Sequence, residues 1–253
     1  MPDSLVTRAD RGGAAVLTLD SPHNRNALSR QLVDELLGHI EDVAADPGSR
    51  AVVITGAGRT FCAGADLSDP PVAKGKGSFA DVLRALWDYP KPVIVAINGH
   101  VRAGGFGIVA AGDIVLSVQS ATFAFTEVRI GVVPAIISVL CLRRMTPVAA
   151  SRYLLTGEQF GPEVASNAGL VTTGVADDGL GTAIDEVIGG LRLCEPTALQ
   201  VTRQLMRRLP QMDTGSGFEW AQEVSERMFA SPAAAEGIAA FKEKRPPSWA
   251  TEG

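Results

Sequence analysis

Apolar positions along the chain alternate between two periods. Ala14–Leu19 (AAVLTL) follows a glycine pair and predicts a short strand. From Ser29 to about Ala44, Leu32, Val33, Leu36, Leu37, Ile40 and Val43 recur at helical spacing. Ser29 stands where an N-cap belongs, and Asp46-Pro47-Gly48 ends the pattern. Arg50–Gly56 (RAVVITG) and Pro92–Gly99 (PVIVAING) are continuous apolar runs, the mark of strands buried on both faces. Between them ADVLRALWDY reads as a short helix, and after the second run GGFGIVAAG opens another. IVLSV and TFAF are short strands, and LVTTGVA is a last one. Arg152–Gly169 is helical with a break at TGEQFGPE. From Glu195 to about Lys244 the pattern is helical, with Phe218, Ala221, Val224, Ser225 and Met228 on one face. Pro70–Ser78 (PPVAKGKGS) has no period and is expected to be a mobile surface loop. The reading is an α/β core over 1–194 followed by a helical region over 195–253.

Composition narrows the function. The 253 residues are 46% hydrophobic and 20% charged, an ordinary globular balance. The net charge of -5 argues against general nucleic-acid binding, which needs a basic surplus. Cys62, Cys141 and Cys194 lie far apart with no CxxC, so they are expected to be reduced core thiols. His23, His39 and His100 lack metal-ligand spacing. The N-terminus has no signal-type apolar core, and the run near AGGFGIVAA is too short to span a bilayer. A cytoplasmic location is expected.

Two glycine-rich turns hold the candidate chemistry. VVITGAGRTFCAGADL leaves a strand at small residues, and VIVAINGHVRAGGFGIVAA leaves a strand and enters a helix. Small residues let a ligand approach the backbone closely, and a helix start offers unpaired N–H groups. Two such donors aimed at one point stabilise a developing oxyanion. On spacing alone, tight structural turns explain these segments equally well. GAGRTF lacks the GxGxxG pattern of dinucleotide sites, and no Gly-Lys-Ser/Thr closes a phosphate loop.

FCAGADL, KPVIVAINGHVRAGGFGIVAAGDI and ATFAFTEVRIGVVPAI follow one another in an order that resembles the crotonase family, the enoyl-CoA hydratases and isomerases. SPHNRNALS is similar to the family's early Pro-x-x-x-Asn-Ala-Leu segment, and AAAEGIAAFKEKRPPSW to its ending. The resemblance spans nearly the whole chain. It implies a spiral of β-β-α repeats with a C-terminal helical region used for oligomerisation, as a homotrimer or a dimer of trimers. It implies an acyl-CoA thioester as substrate, with no metal or other cofactor, because coenzyme A belongs to the substrate.

The same resemblance assigns residues. The backbone N–H groups of Ala65 and Gly104 correspond to the oxyanion hole for the thioester oxygen. Gly107 stands where many family hydratases carry a glutamate, and Glu127 matches the family's other glutamate. The chain thus resembles a one-glutamate crotonase, nearest in motif pattern to bacterial methylglutaconyl-CoA-hydratase-like members. Glu127 is implied as general base and then acid, activating water for attack at C3 and returning a proton to C2. The bare Gly107 is expected to leave a void that either holds water or admits part of the acyl chain, with room for a branched acyl group. Arg25, Ala27, Ala63, Gly64, Asp66 and Leu67 are implied along the coenzyme A path and the thioester turn. Arg59 is implied near the phosphates, and Phe241 and Lys242 as C-terminal residues reaching a coenzyme A, often a neighbouring subunit's. His23 replaces a frequent lysine. Arg102 and Arg129 are each open as partners of a distal carboxylate. Three functions remain open here: an enoyl-CoA hydratase, a Δ3,Δ2-enoyl-CoA isomerase that needs one base only, and a non-catalytic acyl-CoA-binding protein.

Overall fold

A computed structural model describes residues 4–69 and 77–250. The strongest sequence patterns form the frame. Val93–Ile97 (β5) is buried at every position, and Ala51–Gly56 (β3) at its first four. Both lie in the middle of a six-stranded sheet ordered β1-β2-β3-β5-β7-β9, with Val6–Arg11 (β1), Ala14–Leu19 (β2), Ile114–Val118 (β7) and Thr173–Val175 (β9). Only the β1–β2 pair is antiparallel. Parallel central strands need helices on both faces, which is why they are apolar throughout.

A second, parallel sheet of three strands is ordered β4-β6-β8: Thr60–Cys62 (β4), His100–Arg102 (β6) and Phe123–Ala124 (β8). Arg30–Ala45 (α1), Phe79–Trp87 (α2), Gly105–Ala111 (α3) and Ala135–Arg144 (α4) complete the turns. The chain therefore winds as β1-β2-α1, β3-β4-α2, β5-β6-α3 and β7-β8-α4. The last three turns each give one strand to the large sheet and one to the small sheet. This is the expected spiral of β-β-α repeats.

Local chemistry sets the helix starts. The Ser29 side chain accepts from Leu32 N–H at 3.3 Å, and Ser78 with Asp81 forms a capping box at α2. Of the segment expected as a mobile loop, residues 70–76 lie outside the described residues, and Ser78 is the α2 cap. Pro147–Thr156 (α5), Pro162–Asn167 (α6), Leu180–Arg192 (α7), Pro196–Arg208 (α8), Thr214–Phe229 (α9) and Pro232–Glu243 (α10) finish the chain. Leu17, Val52, Ile54, Val95, Phe106 and Phe125 belong to the main core, and α7 covers the other sheet face through Ile184 and Ile188 against Val53, Ile94 and Leu116. Cys62 and Cys141 are buried as expected, and burial pushes each thiol up to about 12. Cys194 is a correction: it is exposed at the end of α7, past the last residue that packs on the sheet.

Candidate active site

Three adjacent parallel strands end at the same edge of the small sheet. Cys62 pairs with Val101, Val101 with Phe123 and Arg102 with Ala124. Parallel neighbours lie about 4.8 Å apart, so residues just past their ends are brought together. Ala65 follows β4, Gly104 follows β6 and Glu127 follows β8, each within three residues of the strand end. The carboxyl ends of parallel strands are where α/β proteins bind ligands.

The amides at this edge divide into two sets. Leu28 N–H donates to Gly64 O at 2.7 Å, Asp66 N–H to Leu28 O at 3.1 Å and Ala103 N–H to Ala124 O at 3.3 Å. Among the described residues, the N–H groups of Ala65 and Gly104 donate to no protein acceptor. The two loops that carry them are in close contact. A Cβ on Gly64 would lie 2.6 Å from Ala103 Cβ and 3.2 Å from Gly104 N, and Gly64 has φ +90°. Only glycine meets both demands. Ala103 itself has φ 45°, a strained conformation for a residue with a side chain, and it turns the chain from β6 into α3.

The segment 24–28 docks on this turn. Ala63 N–H donates to Arg25 O at 3.1 Å, and Asn24 Nδ2 to Asp66 Oδ2 at 3.1 Å. Hydrogen bonds from Ser68 hold Asp66 below the usual carboxylate range. Arg25, Ala27, Ala63, Gly64, Ala65 and Asp66 are thus gathered in one place, with the exposed Leu67 at its rim. Sequence reasoning assigned no role to Asn26, which organises the corner. Its Oδ1 accepts from Ser21 N–H at 2.8 Å, and its Nδ2 donates to Ala57 O and Thr60 O at 3.0 and 2.8 Å. It is fully buried with φ 55°, and asparagine tolerates that region better than other residues with side chains. The Pro-x-x-x-Asn-Ala-Leu segment contains this residue, but its pattern does not show which carbonyls the side chain holds.

Glu127 opens the short 3₁₀ turn Glu127–Ile130. Phe125, two residues before it, stacks on Phe106 of α3 with centroids 3.7 Å apart, which ties the turn to the helix that Gly104 starts. The Glu127 Oε2 atom is buried and has no hydrogen-bond partner. Burial raises its pKa, and its charge also reaches the Cys141 thiol on α4. A half-buried carboxylate with a free oxygen can exchange a proton with water or substrate.

The expected void at Gly107 is absent, and this is a correction. A Cβ there would lie 2.8 Å from Leu83 Cδ1 and 3.0 Å from Ile137 Cγ2. Side chains of α2 and α4, distant in sequence, fill the space reserved for a branched acyl group. Both arginines left open are engaged elsewhere. Arg102 donates to Val101 O, Thr122 O, Thr122 Oγ1 and Gln159 Oε1, and Arg129 Nε donates to Thr156 O at 3.1 Å. Arg59 is exposed at the starting end of β4, where its carbonyl accepts from His100 N–H at 3.3 Å, a strand length from Ala65. Phe241 is 86% exposed and Lys242 is exposed beside it on α10. The chain after α10 is anchored at the opposite end of the large sheet, where Arg50 Nη2 donates to Trp249 O at 2.6 Å. Among the described residues, no backbone hydrogen bond joins Phe241 or Lys242 to the turn 63–67.

The winding of paired strands into two sheets, with loops meeting beyond the small one, is the crotonase fold. The profile of the enoyl-CoA hydratase/isomerase family matches residues 10–252, and the chain belongs to that family. It is 36% identical over 255 residues to a Thermus thermophilus protein assigned provisionally as an enoyl-CoA hydratase, covering 96% of this chain and 99% of that one. It is 32% identical to a carnitinyl-CoA dehydratase of Proteus mirabilis, over 94% and 95% of the two chains. The crystal structure of an enoyl-CoA hydratase from Mycobacterium smegmatis superposes with a TM-score of 0.92 at 30% identity, over 98% and 100% of the chains. Among the described residues, no helix is long and apolar enough to cross a membrane.

Proposed function

We propose that the protein is an enoyl-CoA hydratase that adds water across the 2,3 double bond of an enoyl-CoA thioester. The N–H groups of Ala65 and Gly104 donate to the thioester oxygen. Glu127 removes a proton from water, and the hydroxide oxygen bonds to C3. The electron pair of the double bond moves onto the thioester oxygen as an enolate. Glu127, now protonated, returns a proton to C2, which restores the carbonyl and the carboxylate. Preorganised donors of this kind are each worth about 3–4 kcal/mol in the transition state. The observation that carries the reading is the buried, unpaired Oε2 of Glu127 at the edge where the two free amides lie. Coenzyme A enters as part of the substrate, and no further cofactor takes part.

One observation favours a second reading. The surroundings of Gly107 are apolar, Leu83 and Ile137, so α3 offers no second acid. A Δ3,Δ2-enoyl-CoA isomerase moves one proton between C2 and C4 and needs one base. The purified protein with crotonyl-CoA and with 3-hexenoyl-CoA separates the readings. Absorbance of the conjugated thioester falls on hydration of the first and rises on isomerisation of the second. Hydration of crotonyl-CoA is the expected outcome. Binding of either thioester with no turnover contradicts both readings and leaves an acyl-CoA-binding protein.

The proposal extends to assembly as a homotrimer or dimer of trimers. Phe218 and Phe229 on α9 are 75% and 74% exposed, and Ile136, Val139 and Leu142 on α4 are exposed as well. Trp220 and Met228 are half-buried, Trp220 beneath the Arg208 guanidinium at 4.5 Å. Exposed apolar surface on this scale marks a contact with another chain.

A further inference from the structure

A cleft of about 420 Å³ lies at the far end of α3 from Gly104, between the α/β core and the start of the C-terminal helices. Its walls include Trp87, Gly112, Asp113, Arg143, Arg144 and Arg207. Asp113 is the one carboxylate in the wall, and both its oxygens are taken. Oδ2 accepts from Val93 N–H at 2.8 Å and from Arg203 Nε at 2.6 Å, and Oδ1 from Arg207 Nη2 at 2.7 Å. Arg203 is buried behind the wall and directs its remaining donors at the carbonyls of Leu86, Trp87 and Tyr89.

Beyond that carboxylate, the guanidiniums of the wall meet only carbonyl dipoles and the Trp87 ring among the described residues. Arg144 donates to Gly112 O and Gly169 O, and Arg207 Nη2 also to Ala111 O at 2.9 Å. Arg207 lies 3.9 Å above the Trp87 ring, and its Nε is buried with no acceptor. Arg143 touches the same ring at 5.6 Å and has no hydrogen-bond partner among the described residues. One carboxylate thus serves a group of four guanidiniums, and donors remain unused on at least two of them. Burial disfavours the charged forms of Arg144 and Arg207, and the nearby Arg203 and Arg144 guanidiniums disfavour that of Arg207 further. Like charges held together in partial burial call for a counter-charge.

We propose that this cleft binds a multiply charged oxyanion of the phosphate class, at a site separate from the thioester edge. Guanidinium forks match tetrahedral oxyanions through paired N–H donors. A dianion offsets the surplus that Asp113 leaves, whereas a monovalent halide reaches few of the donors. The cleft exceeds the ~30 Å³ of one water many times over, so orthophosphate with its waters or pyrophosphate fits.

Calorimetric titration of the full-length protein at low ionic strength tests this, with orthophosphate, pyrophosphate and chloride as probes. One saturable site per chain is expected for orthophosphate or pyrophosphate and none for chloride, with affinity falling as salt rises. Arg143→Gln is expected to weaken the binding at least tenfold. Its side chain makes no hydrogen bond, so the fold survives, which circular dichroism checks, and Arg143→Lys is expected to recover part of the loss. Coenzyme A then separates the sources. A second equivalent per chain that Arg143→Gln abolishes makes the ligand a nucleotide phosphate. A single equivalent, unaffected by that change, makes it free phosphate. No saturable binding of either phosphate probe, or binding that Arg143→Gln leaves unchanged, overturns the proposal.

Discussion

Helices α1 and α9 are both 16 residues long and meet different surroundings. Helix α1 buries Leu32, Val33, Leu36, Ile40 and Val43, whereas α9 buries Val224 alone. Both carry an apolar stripe at helical spacing. The α1 stripe faces the sheet and the Ser29 cap fixes its start, while the α9 stripe leaves Phe218 and Phe229 in solvent. A stripe says that a face seeks apolar contact and not which molecule supplies it. The chemistry divides along the same line. Ala65, Gly104 and Glu127 all belong to the α/β part, and among the described residues no backbone hydrogen bond from α8, α9 or α10 reaches them.

The largest expected effect lies in α1. Leu36→Ala should cost about 2–5 kcal/mol, as for other large-to-small core changes. Urea denaturation measures it, and a loss below about 1 kcal/mol means the α1 core is looser than described. Next comes Gly107→Ala, which forces Leu83 and Ile137 aside and should cost about 1–3 kcal/mol by overpacking. Leu83→Ala should cost less in that chain than in the unaltered one, because it also relieves the clash. Gly107→Glu should destabilise further and lower turnover. A gain in crotonyl-CoA hydration instead would show that the space opens readily.

A smaller effect is set by pH. The native pKa of Glu127 is raised by burial above its unfolded value. The group's stabilising contribution is therefore complete below the unfolded pKa and lost as pH rises through the native one. Glu127→Gln, permanently neutral, should melt at or above the wild-type temperature at neutral pH, and the difference should shrink on acidification. A Gln variant less stable at neutral pH than at pH 4, relative to wild type, contradicts that sign. Smallest for the fold of one chain is Phe218→Asp, within about 0.5 kcal/mol for an exposed site. Its expected consequence is a lower sedimenting mass with unchanged circular dichroism. A stable, fully active monomer of the unaltered protein at micromolar concentration would remove α9 from any contact.

What was legible in the sequence follows from the length and purity of each pattern. The apolar runs of β3 and β5 and the single stripe of α1 are readable within about two residues at each end. Strands β4 and β6, three residues each, are not, because Thr60–Cys62 and His100–Arg102 are too short to show alternation. Helix α4 escaped because its two faces are both apolar: Ile137, Leu140 and Cys141 point inward, Ile136, Val139 and Leu142 outward. The missed small sheet is what places Ala65, Gly104 and Glu127 side by side. Motif order pointed to those residues, and spacing alone did not. The void at Gly107 was misjudged because the atoms that fill it come from Leu83 and Ile137, which no local window contains.

In the proposed reaction Glu127 acts on a thioester held at the edge formed by Ala65 and Gly104. The most direct test is kcat/KM for crotonyl-CoA hydration by Glu127→Gln, with thioester binding measured on the same preparation. Loss of a general base lowers the rate by about 10²–10⁴-fold. A fall of that size with binding preserved is expected, since the backbone donors are untouched. Turnover near the wild-type rate would contradict it, and so would a loss explained wholly by failure to bind.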